Sequence, residues 1–157
     1  METSMDVYQN LKEHGIVLTP QLAAAGLYRP VNQTDKLLFV SGQGSMVGDT
    51  KVTGRVGAEL SVEEGAAAAK MCAINTLSAL EAHVGDLNRI KRCVKILAFG
   101  ASAEGFNGQA QVVNGASQVF MDAFGEEGRH ARSAIGTNEL PLGLTVEVES
   151  IFELKED

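Results

Sequence analysis

Residues 61–99, "SVEEGAAAAKMCAINTLSALEAHVGDLNRIKRCVKILAF", decide the fold, because they join the clearest helix signal in the chain to its longest strand signal. Ser61 and Glu64 have the spacing of a capping box, Glu63 and Glu64 suit the positive end of the helix dipole, and Gly85 can supply the left-handed stop. Between these signals Ala66, Ala69, Ala73, Leu77, Leu80 and Val84 recur at three- and four-residue steps and so form one apolar stripe. Its small side chains allow close approach to a sheet. After a short turn, "RIKRCVKILAF" predicts a strand of about ten residues.

Upstream, "GLYRPV" and "KLLFVSG" flank the polar cluster "NQTD" and predict a hairpin whose second strand is apolar enough to lie centrally. "GQGSMVGDTKVTG" follows, interrupted by Gly42, Gly44, Gly48 and Gly54, and reads as an ordered loop. Near the start, "SMDVYQNLKEHG" predicts a short helix with Ser4 as cap and Gly15 as stop, after which "IVLTP" extends. Downstream, a second helix runs from about Gln109 to Phe124, with Val112, Val113, Ala116, Val119, Phe120 and Ala123 inward and Gly125 beyond its end. Two further strands lie within "HARSAIGTNELPLGLTVEVESIFEL", residues 130–154.

The order strand, strand, helix, strand, helix, strand, strand predicts an α+β domain with both helices on one face of a mixed sheet. Phe39, Leu97, Phe99, Val146, Val148 and Phe152 give the strands more apolar surface than two helices obviously cover. Self-association through the second sheet face is therefore expected.

Bulk properties set the outer limits. A chain of 157 residues suits one domain, and 45% apolar with 21% charged residues is ordinary for a globular one. No segment reaches the roughly 18 apolar residues of a membrane span, and Met1–Asn10 is polar and acidic, so a cytoplasmic protein without a membrane partner is expected. The net charge of −7 and a pI near 5.0 oppose phosphate backbones, and Arg89, Lys91, Arg92 and Lys95 read as a solvated strand edge. No nucleic-acid partner is expected. Cys72 and Cys93 suit buried thiols in a reducing compartment.

His14, His83 and His130 are scattered and no Cys-x-x-Cys pair exists, so no metal is predicted. "GQGSMVG" lacks the spacing of a nucleotide-binding loop, no Ser or Cys has a paired base nearby, and no cofactor is expected. Arg132 differs in kind: its planar fork suits two-point binding of a carboxylate, and Ala131, Ser133 and Ala134 leave space around it. A surface ion pair is the plainer account of the same residue. Glu147 and Glu149 share one face of the last strand, either as a polar face toward solvent or with Glu149 in an interface cavity, orienting water or relaying a proton.

"HARSAI" followed by "LPLGLTVEVE" resembles the signature of the Rid (YjgF-like) family of reactive-intermediate deaminases, also known under the endoribonuclease name L-PSP. The resemblance extends to "GLYRPV", "LLFVSGQ" and "VVNG", covers about residues 26–153, and divides the chain into an N-terminal extension, 1–25, and a single Rid-like domain, 26–157. It implies a chorismate-mutase-like fold and a homotrimer with a central β-barrel and clefts between subunits. Arg132 would hold the substrate carboxylate and Glu149 would stand beside the reacting water, with Tyr28, Asn114, Ser133 and Ala134 lining the cleft and Ser41 and Gly42 near it. The implied reaction hydrolyses an enamine or imine such as 2-aminoacrylate to a 2-keto acid and ammonia, with no cofactor. A non-catalytic sensor of small carboxylates and a ribonuclease are the rival readings. Where efficient deaminases resemble Arg-Ser-Cys, this chain has Arg132-Ser133-Ala134, which alters the cleft wall.

Overall fold

A computed structural model describes residues 6–20, 24 and 26–156. The elements are α1 (Val7–Glu13), β1 (Val31–Thr34), β2 (Leu37–Gly44), β3 (Met46–Val47), β4 (Thr50–Lys51), α2 (Val62–Val84), β5 (Ile90–Ala101), α3 (Gln109–Phe124), β6 (Ala131–Thr137) and β7 (Val146–Leu154). Five strands form one sheet in the order β1-β2-β7-β5-β6, antiparallel except for the β5–β6 pair, which α3 connects in parallel. β3 and β4 make a separate small ribbon. The fold is thus the expected mixed α+β arrangement, with α2 and α3 on the same sheet face.

The capping box at Ser61 is complete: its hydroxyl accepts from the Glu64 amide at 3.1 Å, and the Glu64 carboxylate accepts from the Ser61 amide at 3.0 Å. Gly85 ends α2 with φ 86°. Ala69, Ala73, Leu77, Leu80 and Val84 are buried as predicted, whereas Ala66 is half-buried, with its backbone against Gly115 of α3. All six inward residues predicted for α3 are buried, and Phe120 and Phe124 both meet Phe152 of β7.

Three local expectations need correction. The first hairpin strand is Val31–Thr34 and not "GLYRPV", and its turn is Asp35-Lys36, with Asp35 at φ 52°. Pro30 has no N–H to give a ladder, and the carbonyls of Arg29 and Pro30 instead accept from Ser41. "NQT" can be strand because β1 is an edge, where these three side chains stay exposed while Val31 alone enters the core. The segment expected to be a loop contains the β3–β4 ribbon, turned by Gly48 at φ 59°. At the N-terminus Ser4 lies outside the described residues, and the cap is Asp6, whose carboxylate accepts from the Tyr8 amide at 3.0 Å.

α1 adds a third helix, laid on α3. Val7, Leu11 and Ile16 join the main core, Asn10 donates to the Ala123 carbonyl at 3.0 Å, and His14 approaches Asp122 at 3.5 Å. Both cysteines are buried and unpaired.

The second sheet face is rich in apolar residues, and of the six strand residues named from the sequence Phe39, Leu97 and Phe99 lie on it. Val146, Val148 and Phe152 are fully buried under the helices. By strand alternation the open face carries Leu37, Phe39, Leu97, Phe99, Ile135 and Ile151, of which Phe39 is 41% and Ile135 45% exposed. No segment among the described residues covers it.

Candidate functional site

β6 is an edge strand, so its residues have a neighbour on one side only. Register with β5 aligns Arg132 with Ile96 and Ala134 with Ala98, both core residues, and this directs Arg132 toward α3. There its Nη1 donates to Asn114 Oδ1 at 2.8 Å and to Ser117 Oγ at 3.0 Å, while Nη2 donates to the Ala110 carbonyl at 3.3 Å. Ala110, Asn114 and Ser117 fall at spacings of four and three, on one helix stripe. Three of the five guanidinium N–H groups are therefore committed to a single helix. The Nε–H and one Nη2–H have no partner among the described residues.

Behind the arginine stands His130. Its Nε2 lies 2.9 Å from Ser117 Oγ and its Nδ1 2.7 Å from the Gly128 carbonyl, with the ring held edge-on to Phe120 at 5.9 Å. Burial lowers the His130 pKa from the usual imidazole value and the Arg132 charge adds to this, against the opposing effect of the Gly128 carbonyl. The imidazole is thereby kept neutral. Neither His130 nor Ser117 was expected at the site; His130 opens the quoted "HARSAI" and Ser117 falls on the helix stripe of Asn114, but neither signal pairs the two.

The glutamates lie on the other sheet face. Glu149 is aligned with Leu97, itself aligned with Ser133, and Glu147 with Phe99 and Gly44. Glu147 is half-buried and Glu149 exposed. A Cβ on Gly42 would come 2.7 Å from a Glu147 carboxylate oxygen, so glycine there leaves room for the carboxylate. Glu149 borders a small cavity of about 150 Å³ with Lys95, Leu97, Ser150 and Ile151.

Burial, and secondly the Glu149 charge, push the Glu147 pKa up. In the unfolded chain this group loses its proton first, so the native state is penalised as pH rises from about 4.5 through the raised value, and the penalty persists above it. Glu147→Gln should therefore raise the melting temperature at pH 7 and leave it nearly unchanged at pH 4. Equal shifts at both values would show that the carboxylate is not strained.

Within one protomer the expected site residues separate into two groups. Arg132, Asn114 and Ala134 stand together on the helix face at the β6 edge. Glu149 and Ser133 face the opposite way, and Tyr28 precedes β1 at the far edge of the sheet, with β2, β7 and β5 between. Four strand spacings amount to about 19 Å. A small ligand cannot span them.

The sequence family described as YjgF/chorismate mutase-like, putative endoribonuclease, matches residues 9–154. The chain belongs to the YjgF family. Protein TCP17 of Trypanosoma cruzi is 44% identical over 151 residues, 94% of each chain. Among solved structures, the Agrobacterium tumefaciens protein Atu1372, of unknown function, superposes with TM-score 0.87 at 39% identity, covering 96% of this chain and 94% of its own. A Shewanella oneidensis protein described as a putative endoribonuclease gives TM-score 0.91 at 28% identity, covering 96% and 100%. In this YjgF-family chain one sheet face is open and β6 is an edge strand among the described residues. Among the described residues no three His, Cys, Asp or Glu side chains gather to hold a metal, and no helix is long and apolar enough to cross a membrane.

Proposed function

We propose that this YjgF-family chain hydrolyses amino-acid-derived enamines and imines of the 2-aminoacrylate type to 2-keto acids and ammonia, in sites shared between protomers of a homotrimer. The observation that carries the reading is the guanidinium of Arg132, held on α3 by three hydrogen bonds with two N–H groups uncommitted. Those two suit the two oxygens of a carboxylate.

The separation of Arg132 from the glutamates supports a composite site. One protomer would present Arg132, Asn114 and Ala134 from its β6 edge, and a neighbour would present Tyr28 and the carboxylates. Packing three open faces together would also bury Leu37, Phe39 and Ile135, and a trimer with a central barrel is the closed arrangement that does so without leaving the β6 edge bare.

The chemistry asks little of the protein. An enamine first takes a proton at its terminal carbon and gives one up from nitrogen, becoming the imine; water then adds to the imine carbon, forming a C–O bond while one of its protons passes to a carboxylate and the imine nitrogen gains one. The carbinolamine then collapses, the C–N bond breaks, ammonia leaves and the keto group remains. Glu149 is the group assigned to the water, and Glu147 lies beside it on the same face, its pKa pushed up by burial and by the Glu149 charge, so that it holds a proton more readily than a free carboxylate. Arg132 contributes orientation.

Ala134 favours a second reading. It stands beside the arginine with no hydrogen-bonding group, which fits a site that binds small carboxylates without turning them over. Freshly generated 2-aminoacrylate distinguishes the two: the enzyme accelerates keto-acid release over the spontaneous rate, whereas a sensor binds 2-oxobutyrate and leaves that rate unchanged. Acid-soluble nucleotides released from RNA would instead support a ribonuclease, which the charge of −7 opposes.

A further inference from the structure

We propose that Ser117 and His130 are positioning residues for Arg132: a one-directional hydrogen-bond chain from the guanidinium through the serine hydroxyl and the imidazole to the Gly128 carbonyl aims the uncommitted edge of the arginine fork at its ligand. The proposal rests on the reading that Arg132 anchors a carboxylate.

The direction of the chain follows from donor and acceptor chemistry. The Gly128 carbonyl can only accept, so the proton of a neutral imidazole sits on Nδ1, 2.7 Å away. Nε2 is then an acceptor and takes the Ser117 hydroxyl proton across 2.9 Å. With its proton so committed, Ser117 Oγ turns lone pairs toward Arg132 and accepts from Nη1 at 3.0 Å. The depressed pKa of His130 agrees with the neutral ring that this order needs.

The histidine does something the serine cannot do alone. A serine inside a helix ordinarily turns its hydroxyl back onto the carbonyl four residues earlier, here Val113. His130 draws that proton outward instead. The imidazole is itself fixed from two sides, by the edge-on ring of Phe120 and by Gly128, whose lack of a side chain brings the turn against the Phe120 carbonyl. The result is an arginine whose Nη1 is saturated by Asn114 and Ser117 together, leaving Nε and Nη2 as the edge a carboxylate can meet.

Calorimetric titration of the whole chain with 2-oxobutyrate tests this. Ser117→Ala should weaken binding about tenfold, and Ser117→Thr, which keeps the hydroxyl, should stay within about twofold of wild type. His130→Phe keeps the ring contact with Phe120 and removes both nitrogens, and should weaken binding by about fivefold to tenfold. In an Arg132→Lys background, Ser117→Ala should change affinity by less than about twofold, because the serine acts through the fork. Nitrogen-15 spectra should show His130 protonated on Nδ1 in wild type, with the Nε2 resonance moving in Ser117→Ala. Wild-type binding that Arg132→Lys weakens while Ser117→Ala and His130→Phe leave it unchanged overturns the positioning chain alone. No binding by wild type overturns the arginine reading and this proposal with it. An Nε2–H tautomer in wild type reverses the chain and overturns the proposal whatever the affinities.

Discussion

Arg132→Ala should lower kcat/KM for 2-aminoacrylate hydrolysis by two to three orders of magnitude, about 3–4 kcal/mol of transition-state stabilisation, while the melting temperature changes by only a few degrees. Two charge-assisted hydrogen bonds to one carboxylate are lost, each worth about 1.5–3 kcal/mol. The fold tolerates the change because Arg132 is half-buried on an edge strand and its partners Asn114 and Ser117 can turn to water. Arg132→Lys should recover about a tenth of the wild-type value, since an ammonium keeps the charge but not the fork. Activity within about threefold of wild type in both variants, with the fold intact, would remove the arginine from the mechanism.

The largest stability effect is expected at Gly115. In an isolated helix, Gly→Ala near the middle of α3 would stabilise by about 1 kcal/mol. Here a Cβ at residue 115 would overlap the Ala66 carbonyl of α2, with the Ala66 Cα only 3.0 Å away. Backbone cannot turn aside as a side chain can, so the helices must separate. Gly65 keeps the same contact close from the other side, where a Cβ would meet Val112 at 3.1 Å. Gly115→Ala should therefore destabilise by about 3 kcal/mol, lowering the melting temperature by about 6–12 °C. It should also weaken carboxylate binding, since Asn114 and Ser117 flank it. A melting temperature at or above wild type would show that α2 and α3 are not held at this spacing.

These two residues mark where the sequence was legible and where it was not. The capping box at Ser61 and the three- and four-residue stripes of α2 and α3 express local physics, and both helices formed as their spacing predicts. Chain order then placed both helices on one sheet face. β1 was misplaced because strand propensity says little about an edge, where polar side chains simply face water. The β3–β4 ribbon was missed because its glycines interrupt every period. The surplus of apolar strand residues was legible, but not its division between the two faces: Val146 and Val148 alternate with Glu147 and Glu149, and only the register shows which set lies under the helices. Arg132 was found through its motif, whereas His130 and Ser117 needed coordinates, since their link depends on the turn at Gly128 meeting α3. The opposed directions of Arg132 and Glu149 follow from that same register.

A crystal of the wild-type chain soaked with 2-oxobutyrate would show whether Arg132 grips a carboxylate at a seam between protomers. The ligand carboxylate is expected within hydrogen-bond distance of Arg132 Nε and Nη2, in a cleft whose other wall, with Glu147, Glu149 and Tyr28, belongs to a second protomer. A keto acid bound elsewhere, or an Arg132 edge left open to solvent with no neighbouring subunit against β6, would contradict it.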